Sequence, residues 1–154
     1  MANRFILNET SYFGSNARAE LPGEIQRRGY KKVLFVTDQT LLDANVATKV
    51  TEVLDGAKIK YTTFADIKPN PTIKNVMDGL KVCKKFKADV IVAVGGGSVI
   101  DTAKGISILM TNPKRDLPSL YKEQSNLQKR KYYLASKIAP TQQWQYQYHK
   151  QKIK

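Results

Sequence analysis

Apolar positions change their period several times along the chain, and each change marks an element. Residues 4–7 form a short strand-like run, and Tyr12 and Phe13 end a second extended piece at Gly14, before the polar break at Ser15 and Asn16. Ala17, Leu21, Ile25 and Arg28 then fall about one turn apart, which predicts a helix. Pro22 is tolerable only near its first turn, and Gly29 supplies the stop. Residues 32–37 read as a strand. Leu41, Leu42, Val46, Val50, Val53 and Leu54 recur at three- and four-residue steps up to Gly56, predicting a helix broken at most once. Residues 59–64 alternate like a strand, and Pro69 and Pro71 make residues 68–72 a loop because each disfavours helix before it. Thr72 can cap the helix that carries Ile73, Val76, Met77, Leu80, Cys83 and Phe86. Residues 88–94 are almost continuously apolar, as in a strand buried on both faces, and the Gly95, Gly96, Gly97, Ser98 turn leads into a helix with Ile100, Ala103, Lys104, Ile106, Ser107 and Leu109.

Strands alternating with helices predict an α/β fold whose sheet is parallel and whose crossovers are right-handed. Such sheets bind ligands at the carboxyl ends of their strands, where Asp38 and the glycine turn both fall. No internal repeat is evident.

The texture shifts near residue 125. From there on the chain has no acidic residue and is rich in glutamine, and residues 142–148 show no core-forming period, so residues 125–154 are expected to form an irregular tail. Either a low-complexity end or the read-through of a shifted reading frame accounts for such a segment. The net charge of +13 is largely its doing. Residues 1–124 hold 19 Lys and Arg against 13 Asp and Glu, net +6, whereas residues 125–154 add +7. A basic tail can attract nucleic acid or an acidic membrane, but no recognisable nucleic-acid module accompanies it, so a nucleic-acid partner is not the expectation. With 42% hydrophobic residues and no run near the length of a membrane span, a soluble, cytoplasmic protein without a membrane partner is expected. The single cysteine, Cys83, shares a helical stripe with Val76 and Leu80 and reads as a buried structural thiol.

Three glycines directly after a buried strand permit a tight turn with outward-facing amides, and the next helix aims its positive dipole end at the same space. A diphosphate suits that place, with Ser98 adding a hydroxyl donor and Gly96 and Gly97 keeping side chains out of its way. The usual dinucleotide fingerprint is not met, because its third glycine would fall at Ile100. A ligand-free structural turn is the competing reading. Asp38 likewise has two: a carboxylate accepting both hydroxyls of an adenosine ribose, which would favour NAD over NADP, or a cap for the helix holding Leu41 and Leu42.

Residues 95–104 together with residues 36–41 and 69–72 resemble the iron-containing alcohol dehydrogenases in order and spacing, and residues 3–14 are similar to the lactaldehyde reductase type within that family. The resemblance covers roughly residues 2–122, with an echo at residues 138–141. It implies a Rossmann-like parallel sheet flanked by helices, the N-terminal domain of a dehydroquinate synthase-like fold, spanning residues 1–124. It also implies hydride transfer between NAD(H) and a small alcohol or aldehyde, and a homodimer paired through the N-terminal strand. By the same resemblance Gly96, Gly97 and Ser98 hold the pyrophosphate and Asp38 the ribose, while Asp101, Lys104, Asn70 and Thr141 border the cofactor. Val99 stands where the family usually has proline, and the match is lost after Thr141. The family's iron is held by an aspartate and histidines of a following helical domain. This chain has only His149, inside the expected tail, so no metal site is expected and the chain alone is expected to be inactive.

Overall fold

The computed structural model describes residues 10–114 and the backbone of two later strands, 134–138 and 144–148. The strand expected at residues 4–7 lies outside the described residues, as does Thr141.

In chain order the elements are β1 (Thr10–Phe13), a 3-10 turn (Ala17–Glu20), α1 (Leu21–Arg27), β2 (Lys32–Val36), α2 (Gln39–Asp43), α3 (Thr48–Gly56), β3 (Lys60–Phe64), α4 (Ile73–Phe86), β4 (Val90–Gly95), α5 (Gly97–Thr111), β5 (Leu134–Ile138) and β6 (Trp144–Tyr148). Pro22 stands in the first turn of α1, where its missing N–H costs nothing. Gly29, at φ 76°, ends the turn that follows that helix. The stretch is broken once, between α2 and α3, with Asn45 in the left-handed region between them. Thr72 caps α4 through a reciprocal box: its hydroxyl accepts from the Asn75 amide, and its own amide donates to the Asn75 side chain.

One six-stranded sheet runs β1-β6-β5-β4-β2-β3. β3, β2, β4 and β5 are mutually parallel, and β6 and β1 join antiparallel. Period-two alternation divides the core into two layers. Leu34 and Val36 of β2 and Ile91 and Ala93 of β4 face one way, against Val76, Leu80 and Cys83 of α4 and Val99, Ala103 and Ile106 of α5. Val33 and Phe35, with Val90, Val92 and Val94, face the other way, against Leu21 and Ile25 of α1 and Val50 and Leu54 of α3. Phe35, Leu34 and Leu54 are fully buried, each contributing about 1.5–3 kcal/mol of transfer free energy. Both faces of β2 and β4 are covered, which is why residues 33–36 and 90–94 are continuously apolar.

The sheet takes in part of the stretch expected to be irregular. β5 extends the parallel edge of β4, and β6 returns antiparallel to it. An uncovered β4 edge would leave a row of backbone donors and acceptors unpaired, which pairing relieves. The run from Trp144 to Tyr148 alternates aromatic residues with glutamine, a period of two in residues that favour strands. Composition masked that pattern.

Candidate functional site

The strand order fixes where a ligand fits. From β2 the chain crosses outward to β3, returns to β4 on the opposite side of β2, and then continues away to β5. The order therefore reverses between β2 and β4, and the crevice beyond their carboxyl ends is the switch point at which open α/β sheets bind ligands. The segments after these two strands are the Thr37–Asp38 pair and the turn at residues 95–98.

The turn is built for close approach. Gly96 is the N-cap of α5 with extended backbone, and no side chain caps the helix. The first amide bonded back is that of Ile100, to the Gly96 carbonyl at 3.1 Å, so the amides of Gly97, Ser98 and Val99 have no partner within the helix. A Cβ built on Gly96 or Gly97 would meet nothing within 4 Å, whereas one on Gly95 would lie 2.6 Å from Val99 Cγ2. Gly95 is thus required by packing, and Gly96 and Gly97 leave open exposed space over uncapped amides. Such a cradle fits a diphosphate, whose oxygens accept from N–H groups at the positive end of a helix dipole.

Thr37 holds the two segments together. It is fully buried, and its hydroxyl donates to the Val94 carbonyl at 2.9 Å while its amide donates to the Phe64 carbonyl at 3.1 Å. One residue therefore ties the ends of β2, β3 and β4. Sequence reading passed over it; a hydroxyl closing an otherwise apolar strand was the available signal. Asp38 follows as the N-cap of α2, with Oδ1 accepting from the Leu41 amide at 3.0 Å. The capping reading is therefore correct, and it engages one of the two carboxylate oxygens.

Asn70 lies in the β3–α4 loop at the same end of the sheet, exposed and left-handed at φ 56°. Asn75, not singled out from sequence, pins the base of that loop by donating from Nδ2 to the Asp66 carbonyl at 3.0 Å. Asp101 and Lys104 sit further along α5 as an i,i+3 pair at 3.5 Å, with the carboxylate 65% exposed, so the contact contributes little to stability. The structure thus brings Gly96, Gly97 and Ser98 into one turn beside Asp38, sets Asn70 in the neighbouring loop, and places Asp101 and Lys104 on the helix behind the turn.

Cys83 is 1% exposed on the buried face of α4, and burial pushes its thiol pKa up to about 11. It is a core residue. Among the described residues no three His, Cys, Asp or Glu side chains gather as metal ligands, so an iron site does not fit them. No helix among them is long and apolar enough to cross a membrane.

The layered sheet, the reversal between β2 and β4 and the glycine turn define a Rossmann-like α/β unit. Residues 8–141 match the family described as iron-containing alcohol dehydrogenase. The chain is 47% identical over 114 residues to lactaldehyde reductase of Escherichia coli (strain K12), covering 74% of this chain and 30% of that protein. The crystal structure of a 1,3-propanediol oxidoreductase superposes with a TM-score of 0.69 at 37% identity, over 72% of this chain and 29% of that one. NADH-dependent butanol dehydrogenase A from Thermotoga maritima gives a TM-score of 0.75 at 27% identity, over 89% and 34%. This chain belongs to the iron-containing alcohol dehydrogenase family, and it spans about 30% of the length of the curated lactaldehyde reductase that it matches.

Proposed function

We propose that this chain is the NAD(H)-binding part of an alcohol dehydrogenase of the lactaldehyde reductase type. The observation that carries the reading is the uncapped glycine turn at the switch point, with open space over Gly96 and Gly97. The amides of Gly97, Ser98 and Val99 receive the diphosphate, and the Ser98 hydroxyl adds a donor. Asp38 keeps Oδ2 for an adenosine ribose hydroxyl while Oδ1 caps α2. Its charge disfavours a 2′-phosphate, which selects NAD over NADP. Asn70, Asp101, Lys104 and, by resemblance, Thr141 border the remainder of the cofactor. Residues 1–124 supply all of these positions except Thr141.

Bound NAD(H) supplies or accepts the hydride exchanged with a small alcohol or aldehyde such as lactaldehyde. The described residues hold and orient the dinucleotide. No group of potential metal ligands forms among them, and we propose that substrate turnover depends on residues the family carries outside this stretch. The isolated chain then binds NADH yet reduces lactaldehyde far more slowly than a full-length relative. Pairing of two copies in the cytoplasm completes the proposal; light scattering of the purified chain reads the first part.

Fluorescence titration with NADH and NADPH tests the cofactor reading directly. Saturable NADH binding, at least tenfold tighter than NADPH, is expected. No saturation with either nucleotide overturns it. Lactaldehyde reduction with added ferrous iron, at a rate near that of a full-length family member, would overturn the dependence on residues elsewhere.

A further inference from the structure

The pole of the sheet opposite the glycine turn carries a concentration of positive charge that cofactor binding does not use. At the amino ends of the parallel strands stand Lys31 before β2, Lys58 and Lys60 around the start of β3, and Lys84, Lys85 and Lys87 where α4 ends before β4. All six are exposed, and none belongs to the ion pairs found among the described residues, whose cations are Arg27, Arg28, Lys74, Lys81 and Lys104. Two carboxylates, Asp89 and Asp55, stand at this pole and offset part of the charge, leaving the lysines in excess. Asp89 accepts from the backbone amides of Lys31 and Lys32, each at 2.9 Å, and Asp55 accepts from the Tyr61 hydroxyl at 3.2 Å.

Two features show that this charge stands against the local preferences of the chain. Lys58 and Lys87 both adopt left-handed backbone, at φ 56° and 58°, in turns that end helices, where glycine would be less strained. Lys60 is also paired in register with Lys32 across the parallel β2–β3 ladder, a like-charge juxtaposition. Lys32 is drawn aside, its Nζ 3.5 Å from the Phe86 carbonyl and 5.5 Å from the Phe86 ring centre.

We propose that this lysine pole docks the phosphate backbone of double-stranded nucleic acid without reading its sequence. Ammonium groups engage phosphates as point charges, and displacing condensed counterions supplies the binding free energy. An acidic bilayer is the less favoured partner. Large hydrophobic side chains exposed among the described residues are Ile73 and Met77, and they lie on the first half of α4, away from the lysines at its end. This surface is separate from the glycine turn, so the inference goes beyond cofactor binding and does not depend on it.

The test uses the whole chain and a fluorescein-labelled duplex of about 20 base pairs, read by anisotropy. Expected is an affinity that falls roughly a thousandfold between 50 and 200 mM salt, as about six phosphate contacts require. The decisive variant is Lys58→Gly with Lys87→Gly. Relief of left-handed strain leaves its Tm unchanged or raises it by roughly 2–4 °C. Its duplex affinity at 50 mM salt nonetheless falls about tenfold or more, with the salt slope shallower by about 2. NADH binding by that variant stays at the parent level. Parental duplex affinity in the variant overturns the proposal, as does a loss of affinity produced only by Lys150→Gln, Lys152→Gln and Lys154→Gln. Binding to phosphatidylserine vesicles with none to the duplex also overturns it.

Discussion

The hydroxyl of Thr37 donates to the carbonyl of Val94 at 2.9 Å in a fully buried setting, joining the strand that ends at the Asp38 cap to the strand that ends at the glycine turn. This bond fixes the spacing of the two halves of the candidate site. Thr37→Val keeps the volume and removes the donor, and about 1 kcal/mol of stability is expected to go with it. NADH affinity should fall at the same time, because loops after β2 and β4 lose their common anchor. Urea unfolding and NADH titration on the same sample check the pair of effects; an unchanged affinity in a folded variant would show that the spacing is held by other contacts.

Neighbouring glycines should respond in opposite ways. Gly97→Ala places a methyl group in open space at the first turn of α5, where alanine favours helix over glycine by roughly 1 kcal/mol. Stability is therefore kept or gained, while the methyl occupies the space proposed for phosphate oxygens and NADH binding weakens about tenfold or more. Gly95→Ala instead drives a Cβ to 2.6 Å from Val99 Cγ2, and a loss of about 1–3 kcal/mol is expected from overpacking. Thermal melts beside NADH titrations separate the two roles.

Acid should loosen the attachment of β1. Glu24 of α1 is 0% exposed and accepts from the Tyr12 hydroxyl at 2.6 Å, from Arg28 through two bonds at 3.0 and 2.8 Å, and from Arg27. Burial alone would raise its pKa, but the Tyr12 bond and the Arg28 and Arg27 guanidinium groups outweigh burial and hold it below the usual carboxylate value. Because the folded value is the lower one, the stability it contributes is complete above the unfolded value, about 4.5, and is lost as pH falls through the folded value. Urea midpoints measured from pH 7 down to pH 3 should show the decline. In Glu24→Gln that component should be absent, with about 2–4 kcal/mol lost at neutral pH.

Cys83 should be inert while the chain is folded. With its thiol pKa raised to about 11 by burial, almost no thiolate exists at pH 8. Labelling with a thiol reagent is expected to be slow in native buffer and complete in denaturant. Fast native labelling would place Cys83 outside the core.

How far the sequence carried this picture varied with the kind of signal. Both faces of β4 are covered, so its almost continuous apolar run marked a buried strand, and Thr72 announced the start of α4 through chemistry local to it. Asp38 had two physically sound readings, and only the 3.0 Å contact to the Leu41 amide established the cap. Strand order was not legible, since parallel neighbours are chosen by packing between elements distant in sequence. The strands at 134–138 and 144–148 escaped notice because glutamine and lysine obscured a two-residue alternation whose partners lie elsewhere.

The pairing of Thr10 with Tyr148 joins positions nearly the whole chain apart. Strands β2, β3 and β4, with the helices between them, can assemble from contacts close in sequence, but among the described strands β1 pairs only with β6, which must first be made and turn back. Until β6 is in place, that flank of the sheet stays open to wrong pairings.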